Sequence, residues 1–398
     1  MTQQHVTVLG PETGIEMQSG ETLFDWKSTG QSLPGEWSIR RDTLRGGVSE
    51  GVLVVELCNG PMTVRVLPTR GMGIWNADCR GIPVGWNSPV QRPVHPQWVD
   101  QSARNGLGWL DGFNELLCRC GMSSCGPPGI DEGAASPIES RLTLHGRVAN
   151  IPAHQVEVGI DSDERTVWVR GVCEESCLFG PHLRLTSQVS LKIGETSIRI
   201  HDEIENFGGG ETELSLLYHI NVGPPFLEEG SRFAVPFRAM SPRDARATED
   251  IETWDRYLGP TTGYAEQCYL FDSAGDDQNR SLALLQNASG DRAFSVEFDP
   301  RQLPHFTLWK CTQAESDGYV TGLEPGTNFP NFKSFERQQG RIPKLSPGER
   351  YSVNLTLGIH SSVDEVTSTV DRLSGMQSSA DSVVYSEPVA PFVDVETD

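Results

Sequence analysis

Three short segments set an ionisable side chain among small or turn-forming residues, a context in which side chains tend to meet a cleft rather than the core. They are Leu144-His145-Gly146-Arg147-Val148-Ala149-Asn150, Leu217-Tyr218-His219-Ile220-Asn221 and Gly322-Leu323-Glu324-Pro325-Gly326-Thr327-Asn328-Phe329-Pro330-Asn331. A carboxylate with an ordinary pKa of about 4.3 is ionised at neutral pH and accepts a proton, while an imidazole near about 6.5 donates or accepts after a small shift. Glu324, His219 and His145 are therefore candidates for general acid and base work. Each also has a plainer reading. His219 ends an apolar strand and would suit a core histidine bonded to a carbonyl, Glu324 would suit a turn cap before Pro325-Gly326, and His145 would suit a turn beside Gly146.

The elements that must position these groups read as strands. Apolar residues recur at every second position in Tyr351, Val353, Leu355, Leu357, Ile359; in Val156, Val158, Ile160; in Phe294, Val296, Phe298; and in Ile198, Ile200, Ile204, where Asp202 interrupts. That period places them on one face of a strand. Shorter candidates are Leu53–Cys58, Met62–Leu67, Val167–Val172, Leu185–Leu191, Leu214–His219 and Leu282–Leu285. Many short strands bounded by turn residues predict a large antiparallel β-sandwich rather than alternating strands and helices. Val363–Leu373 is the one clear helical pattern, with Ser361 and Ser362 as caps. The expected organisation is a single domain over 1–375 followed by an acidic, flexible tail over 376–398, whose Val and Phe residues could still dock on the sheet. The charged stretch Ser241–Tyr264 reads as an insertion that folds over one end of the site.

The 54 acidic residues against 32 basic ones give a formal charge of −22, which repels a nucleic-acid backbone. The N-terminus lacks a basic and an apolar signal region, and no stretch approaches a membrane span, so a cytoplasmic protein without nucleic-acid or membrane partners is expected. Nine cysteines form an odd set, which fits reduced thiols better than a disulfide framework. Cys118, Cys120 and Cys125 cluster, but their spacing matches no common zinc pattern, and the reading is buried thiols with no metal. Gly71-x-Gly73 is followed by nothing like a nucleotide fingerprint, and no cofactor is expected.

In the order and character of the three segments the sequence resembles the galactose mutarotase-like superfamily, the aldose 1-epimerases and their relatives, over about Arg70 to Asn331. The resemblance implies the all-β supersandwich, and it assigns a sugar-binding role to His145, the general acid to His219 and the general base to Glu324. The Leu-Glu-Pro segment with Asn328-Phe329-Pro330 is the most specific of the matches. Two departures bear on the substrate more than on the fold: Gly146 is followed by Arg147 instead of a second glycine, and His219 is preceded by Tyr218 instead of asparagine. The implied reaction interconverts the anomers of a free or modified monosaccharide, with a carbohydrate-binding protein without catalysis, or another sugar isomerase or lyase, as alternatives.

Sugar sites add aromatic faces and planar polar groups. Trp109, Asp111, Phe113 and Asn114 lie in a Gly-rich loop that could form one wall. Arg70 precedes a glycine pair, Arg147 follows His145 by two residues, and Lys310 precedes Glu324; three cations near the motifs suggest an anionic sugar. Each could equally be an ordinary surface or ion-pairing cation, and Trp309 and Phe329 read as core. Assembly as a homodimer is left open.

Overall fold

The computed structural model describes residues 3–9, 20–27, 35–377 and 382–395. Among these, two large sheets face each other. The nine-stranded sheet runs in the order Gln3–Leu9, Gln155–Asp161, Thr166–Ser176, His182–Lys192, Ser197–Asn206, Arg350–His360, Ala293–Phe298, Ser281–Gln286, Arg232–Ala234. The thirteen-stranded sheet has at its centre Gly73–Cys79, Leu117–Met122, Ser215–Val222, Tyr319–Gly326, His305–Thr312 and Gln267–Ser273. Neighbours along both of these stretches pair antiparallel, which is the expected sandwich.

Alternation builds the core. Val158, Val169, Leu185, Val189, Ile200, Leu355 and Leu357 from the smaller sheet meet Val64, Ile74, Tyr218, Ile220 and Leu323 from the larger in one apolar cluster. Asp202, which breaks the apolar pattern of its strand, has the same parity as Ile198, Ile200 and Ile204 and points into this core. Its partner comes from the other sheet. Arg119 Nε lies 2.5 Å from Asp202 Oδ2 and its Nη2 3.1 Å from Oδ1, while Nη2 also donates to Ser187 Oγ at 2.9 Å and Tyr218 Oη to Asp202 Oδ2 at 2.9 Å. Both charged side chains are buried.

The helix spans Val363–Gln377, with Glu365 N donating to Ser362 Oγ, an N-cap at the expected position, and Ser361 N donating back to the Glu365 carboxylate. Beyond it the chain departs from the expected flexible tail. Val383–Val384 pairs with Phe237–Pro242, and Phe392 and Val393 are buried against Leu270 and Phe329. Arg341 and Asn331 hold the carbonyls of Pro391 and Phe392. A few spaced apolar residues are enough to dock a segment even though they form no period; 378–381 and 396–398 lie outside the described residues.

The Ser241–Tyr264 segment forms a short helix at Ala245–Glu249 capped by Asp244, then packs Trp254 against Phe237 and Phe271 at the edge of the core. It lies over the core edge, and near its start Arg243 bonds Glu266, which accepts from the Trp309 indole on the other face of the sheet.

Because the Arg119–Asp202 pair is buried, removing one partner leaves an uncompensated charge. Asp202→Ala should cost about 3–5 kcal/mol in chemical denaturation. A loss below about 1 kcal/mol would mean that solvent reaches Arg119.

Candidate active site

The Ser215–Val222 strand lies between Leu117–Met122 and Tyr319–Gly326. Leu216, Tyr218 and Ile220 face the core, so Leu217, His219 and Asn221 face the other side of the sheet. On the neighbouring strand Leu323 is in the core, which turns Gly322 and Glu324 to the same side as His219. The register pairs Ile220 with Leu323 and Asn221 with Gly322, and it brings His219 Nε2 to 3.2 Å from Glu324 Oε1. Gly322 makes that approach possible. A Cβ there would lie 2.2 Å from Glu324 Oε1 and 3.2 Å from His219 Cε1.

His145 arrives from a loop. Its backbone is left-handed, with φ 57°, and Gly146 follows with φ 70°; a Cβ at Gly146 would lie 2.0 Å from the Ser124 carbonyl oxygen, so the second position of the His-Gly pair must be glycine. His145 Nδ1 lies 2.9 Å from the Cys125 carbonyl oxygen. Since a carbonyl only accepts, the proton of neutral His145 sits on Nδ1 and its Nε2 is bare. His219 Nδ1 lies 2.7 Å from Asn221 Oδ1.

Aromatic rings enclose the pair. The centroids of Phe113, Trp309, His145 and Trp109 lie 4.9, 5.4, 5.5 and 6.0 Å from that of His219. Leu217 and the thiols of Cys118, Cys120 and Cys125 pack beneath, and burial pushes the Cys120 thiol well up and that of Cys125 to about 12. Two buried polar atoms in this cluster have no hydrogen-bond partner among the described residues: the Trp109 indole nitrogen and Glu324 Oε1, whose approach to His219 lies outside hydrogen-bond geometry. A native interior leaves few such atoms unpaired, and together they offer one donor and one acceptor to a ligand.

Burial sets the electrostatics. It raises the Glu324 carboxyl well above the carboxylate range, reinforced by Glu266 and opposed by Arg243. It lowers His219 well below the imidazole range, with His145 adding to the effect and the bond to Asn221 opposing it, and it lowers His145. A dry site disfavours charge on either member, so the pair holds one proton in its neutral form, on Glu324.

The structure brings His145, His219, Glu324 and Trp109 together but sends the proposed cations elsewhere. Arg70 is fully buried behind the wall loop, bonded through Nε to Glu115 at 2.8 Å and otherwise to the carbonyls of Val94 and Gly112 and to Asn150. It is a clamp that holds the Trp109–Asn114 loop against the His145 loop. Lys310 has the parity of the core residues Phe306 and Leu308, and its ammonium donates to the carbonyls of Trp254 and Arg256; burial lowers it to about 8. Asp111 is paired with Arg104 at the surface, and Asn114 donates to the Val90 carbonyl. Arg147 is exposed and lines a cleft of about 500 Å³ with Gln101, Ser123 and Gly146 that contains neither His219 nor Glu324.

Trp309, expected in the core, faces His219 on the outer side of the sheet instead, and Asn221 has no role in the sequence reading, although a signal existed for both. Asn221 follows His219 by two residues, and Trp309 has the parity opposite to Phe306 and Leu308. Glu266, which accepts from the Trp309 indole at 2.7 Å, and Arg243, which bonds Glu266 at 3.1 Å, come from separate strands and turns with no sequence signal.

This fold is that of the galactose mutarotase-like proteins. The chain belongs to the family defined by the domain of unknown function DUF4432, which matches residues 49–359. A crystal structure of a "putative aldose 1-epimerase" from Klebsiella pneumoniae is 32% identical, with a TM-score of 0.91 over 98% of this chain and 100% of that one. A galactose mutarotase-like protein from Clostridium acetobutylicum (17% identity, TM-score 0.53, 80% of this chain and 97% of that one) and a galactose 1-epimerase from Lactobacillus acidophilus (14%, 0.54, 82% and 99%) share the fold. No curated protein matches the sequence. Among the described residues no helix is long and apolar enough to cross a membrane.

The raised Glu324 carboxyl should be visible directly. The infrared difference between wild type and Glu324→Gln at neutral pH should contain a protonated-carboxyl stretch. A carboxylate band in its place would show that Glu324 is ionised and that the pair's proton is not on it.

Proposed function

We propose that the protein is an aldose 1-epimerase-like enzyme that interconverts the anomers of an uncharged monosaccharide by acid–base catalysis. The observation that supports it most is the convergence of Glu324 Oε1 and His219 Nε2 at 3.2 Å within a cage of aromatic rings. A catalytically inert sugar-binding protein gives no reason for a buried acid–base pair to converge in this way.

The reaction needs a base for the O1 proton and an acid for the ring oxygen. With the pair's proton on His219, the Glu324 carboxylate accepts the proton of O1, the C1–O1 bond becomes a carbonyl, the C1–O5 bond breaks and O5 takes the proton from His219 Nε2. The open aldehyde then faces a neutral His219 and a protonated Glu324. Rotation about C1–C2 presents the other face of C1, and reclosure runs the same transfers backward. The pair holds one proton at every stage. Its resting form, with that proton on Glu324, is the form the open chain needs, and a sugar oxygen at each group satisfies the atoms that are unpaired without it. His145, with a bare Nε2 on neutralisation, accepts from a sugar hydroxyl, and Trp109 and Trp309 offer ring faces to its apolar side.

The charges that act on the pair favour a neutral sugar. Arg243, the cation beside Glu266, is already bonded to Asp244, Glu266 and the Cys268 sulfur, and Arg70 and Lys310 are internal. An acidic substituent beside Trp309 would meet the Glu266 carboxylate and a guanidinium already paired with it. Across matched sugars, kcat/KM for a neutral hexose should exceed that for the corresponding uronic acid, as read by NMR anomer exchange. A preference for the acid would restore the anionic substrate.

Glu324→Gln keeps the shape and loses the basicity, so catalysed exchange should fall about 10²- to 10⁴-fold while sugar binding persists. His219→Asn should lower kcat more than KM, because donation to O5 develops in the transition state. The pH–rate profile should lose activity at low pH as His219 takes a second proton, at a pH below the ordinary imidazole value of 6.5, and at high pH as Glu324 gives up the only one, at a pH above the ordinary carboxyl value of 4.5. Wild-type exchange in Glu324→Gln, or an acid limb at or above the ordinary imidazole value, would contradict the assignment.

A further inference from the structure

We propose that Asn221 is a positioning residue that locks His219 in its Nδ1–H tautomer and thereby turns a bare Nε2 toward Glu324, an inference that rests on and deepens the acid–base reading of this site. The argument is one of hydrogen-bond bookkeeping. Asn221 is completely buried, so water does not compete for its amide. Its Nδ2 donates to two backbone carbonyls, that of Glu115 at 2.9 Å and that of His219 at 3.2 Å. Carbonyls accept only, so the amide nitrogen must lie on that side and the oxygen must face His219. Oδ1 also accepts only. At 2.7 Å the proton between Oδ1 and His219 Nδ1 must therefore belong to the histidine.

A neutral imidazole carries one N–H, and with Nδ1 protonated the lone pair is on Nε2, the nitrogen 3.2 Å from Glu324. Had the amide been free to turn, its NH2 could have met Nδ1 and moved the histidine proton to Nε2, where it would block acceptance from Glu324 or substrate. The anchor is itself fixed. Glu115, whose carbonyl holds the Asn221 amide, is tied through its carboxylate to Arg70 at 2.8 Å and to the backbone of Asn114 at 3.0 Å. A line of hydrogen bonds thus runs from the internal Arg70 clamp through Glu115 and Asn221 to Nδ1, the far nitrogen of the reacting imidazole. This gives Arg70 a part in the site that does not require contact with a ligand.

The titratable groups that face His219 are Glu324 on the adjacent strand, His145 across the ring cluster and Cys118, its register partner on the Leu117–Met122 strand. None of these reaches Nδ1, which makes Asn221 the group that sets the tautomer.

The test uses the full-length protein labelled with 15N on histidine, with two-bond 1H–15N correlation spectra at neutral pH and His219 assigned by its loss in His219→Asn. The wild type should show a pyrrole-type Nδ1 and a pyridine-type Nε2 at His219. Asn221→Leu should populate the Nε2–H tautomer and lower kcat for anomer exchange about 10²-fold with a smaller change in KM. Asn221→Asp keeps an acceptor at Nδ1 but adds a charge that favours the imidazolium, so it should retain the Nδ1–H pattern and move the acid limb of the pH–rate profile to higher pH. It also serves if the leucine variant does not fold. A wild-type His219 protonated on Nε2, an Asn221→Leu protein with an unchanged tautomer, or an Asn221→Asp protein with an unshifted titration of the His219 ring nitrogens would each overturn the inference. If the spectra behave as stated but no sugar is epimerised by the wild type, the positioning role stands and the proposed reaction falls.

Discussion

His219 stands directly above the point where the two sheets are pinned together. Its strand neighbour Tyr218 turns the opposite way, into the core, where it bonds Asp202 in the buried pair with Arg119. Strand alternation makes this possible: one residue contributes to an interior ion pair, and the next presents an imidazole to the outer face. The buried pair is costly in isolation and tolerable only with its full set of hydrogen bonds, from Ser187, Tyr218 and the Met72 carbonyl. Any slip of the Ser215–Val222 strand would break that set and carry His219 away from Glu324 in the same motion. The geometry of the site and the integrity of the core thus depend on a single register.

Above that register the governing physics is desolvation. A carboxyl and an imidazole closed in by Trp109, Phe113 and Trp309 cannot both be charged at low cost unless they are paired, and cannot be neutral without one of them holding a proton. One proton shared between them meets both conditions. It is also the inventory that an anomer exchange needs, since such a reaction moves protons without consuming any. The surrounding network limits the freedom of that proton: the Cys125 carbonyl and the Asn221 amide fix the far nitrogen of each histidine, so that both near nitrogens point into the cage.

The charge distribution tells a parallel story. A chain with a surplus of 22 acidic residues places its buried cations where they stabilise structure. Arg70, Arg119 and Lys310 each neutralise a carboxylate or saturate backbone carbonyls inside the protein. Arg243, the guanidinium that acts on Glu324, is already paired with Asp244 and Glu266.

The sequence by itself determined the strands, the single long helix and the three segments that supply His145, His219 and Glu324, because these are local signals: alternation of period two, a capped helical stripe, and ionisable residues beside glycine and proline. It also marked one half of the buried ion pair, as the aspartate that interrupts an apolar face, but not its partner Arg119. What it did not determine was which candidates share a surface. Arg70 and Lys310 were candidates beside a glycine pair and shortly before Glu324, yet one lies behind the wall loop and the other points between the sheets. The docking of 382–395, the closeness of Glu266 and Arg243 to the site, and the meeting of His219 with Glu324 about a hundred residues later depend on strand pairing between distant segments. Only the tertiary structure decided those, because cross-strand register and the face each side chain takes are fixed by packing the whole core at once, and not by any neighbour in the chain.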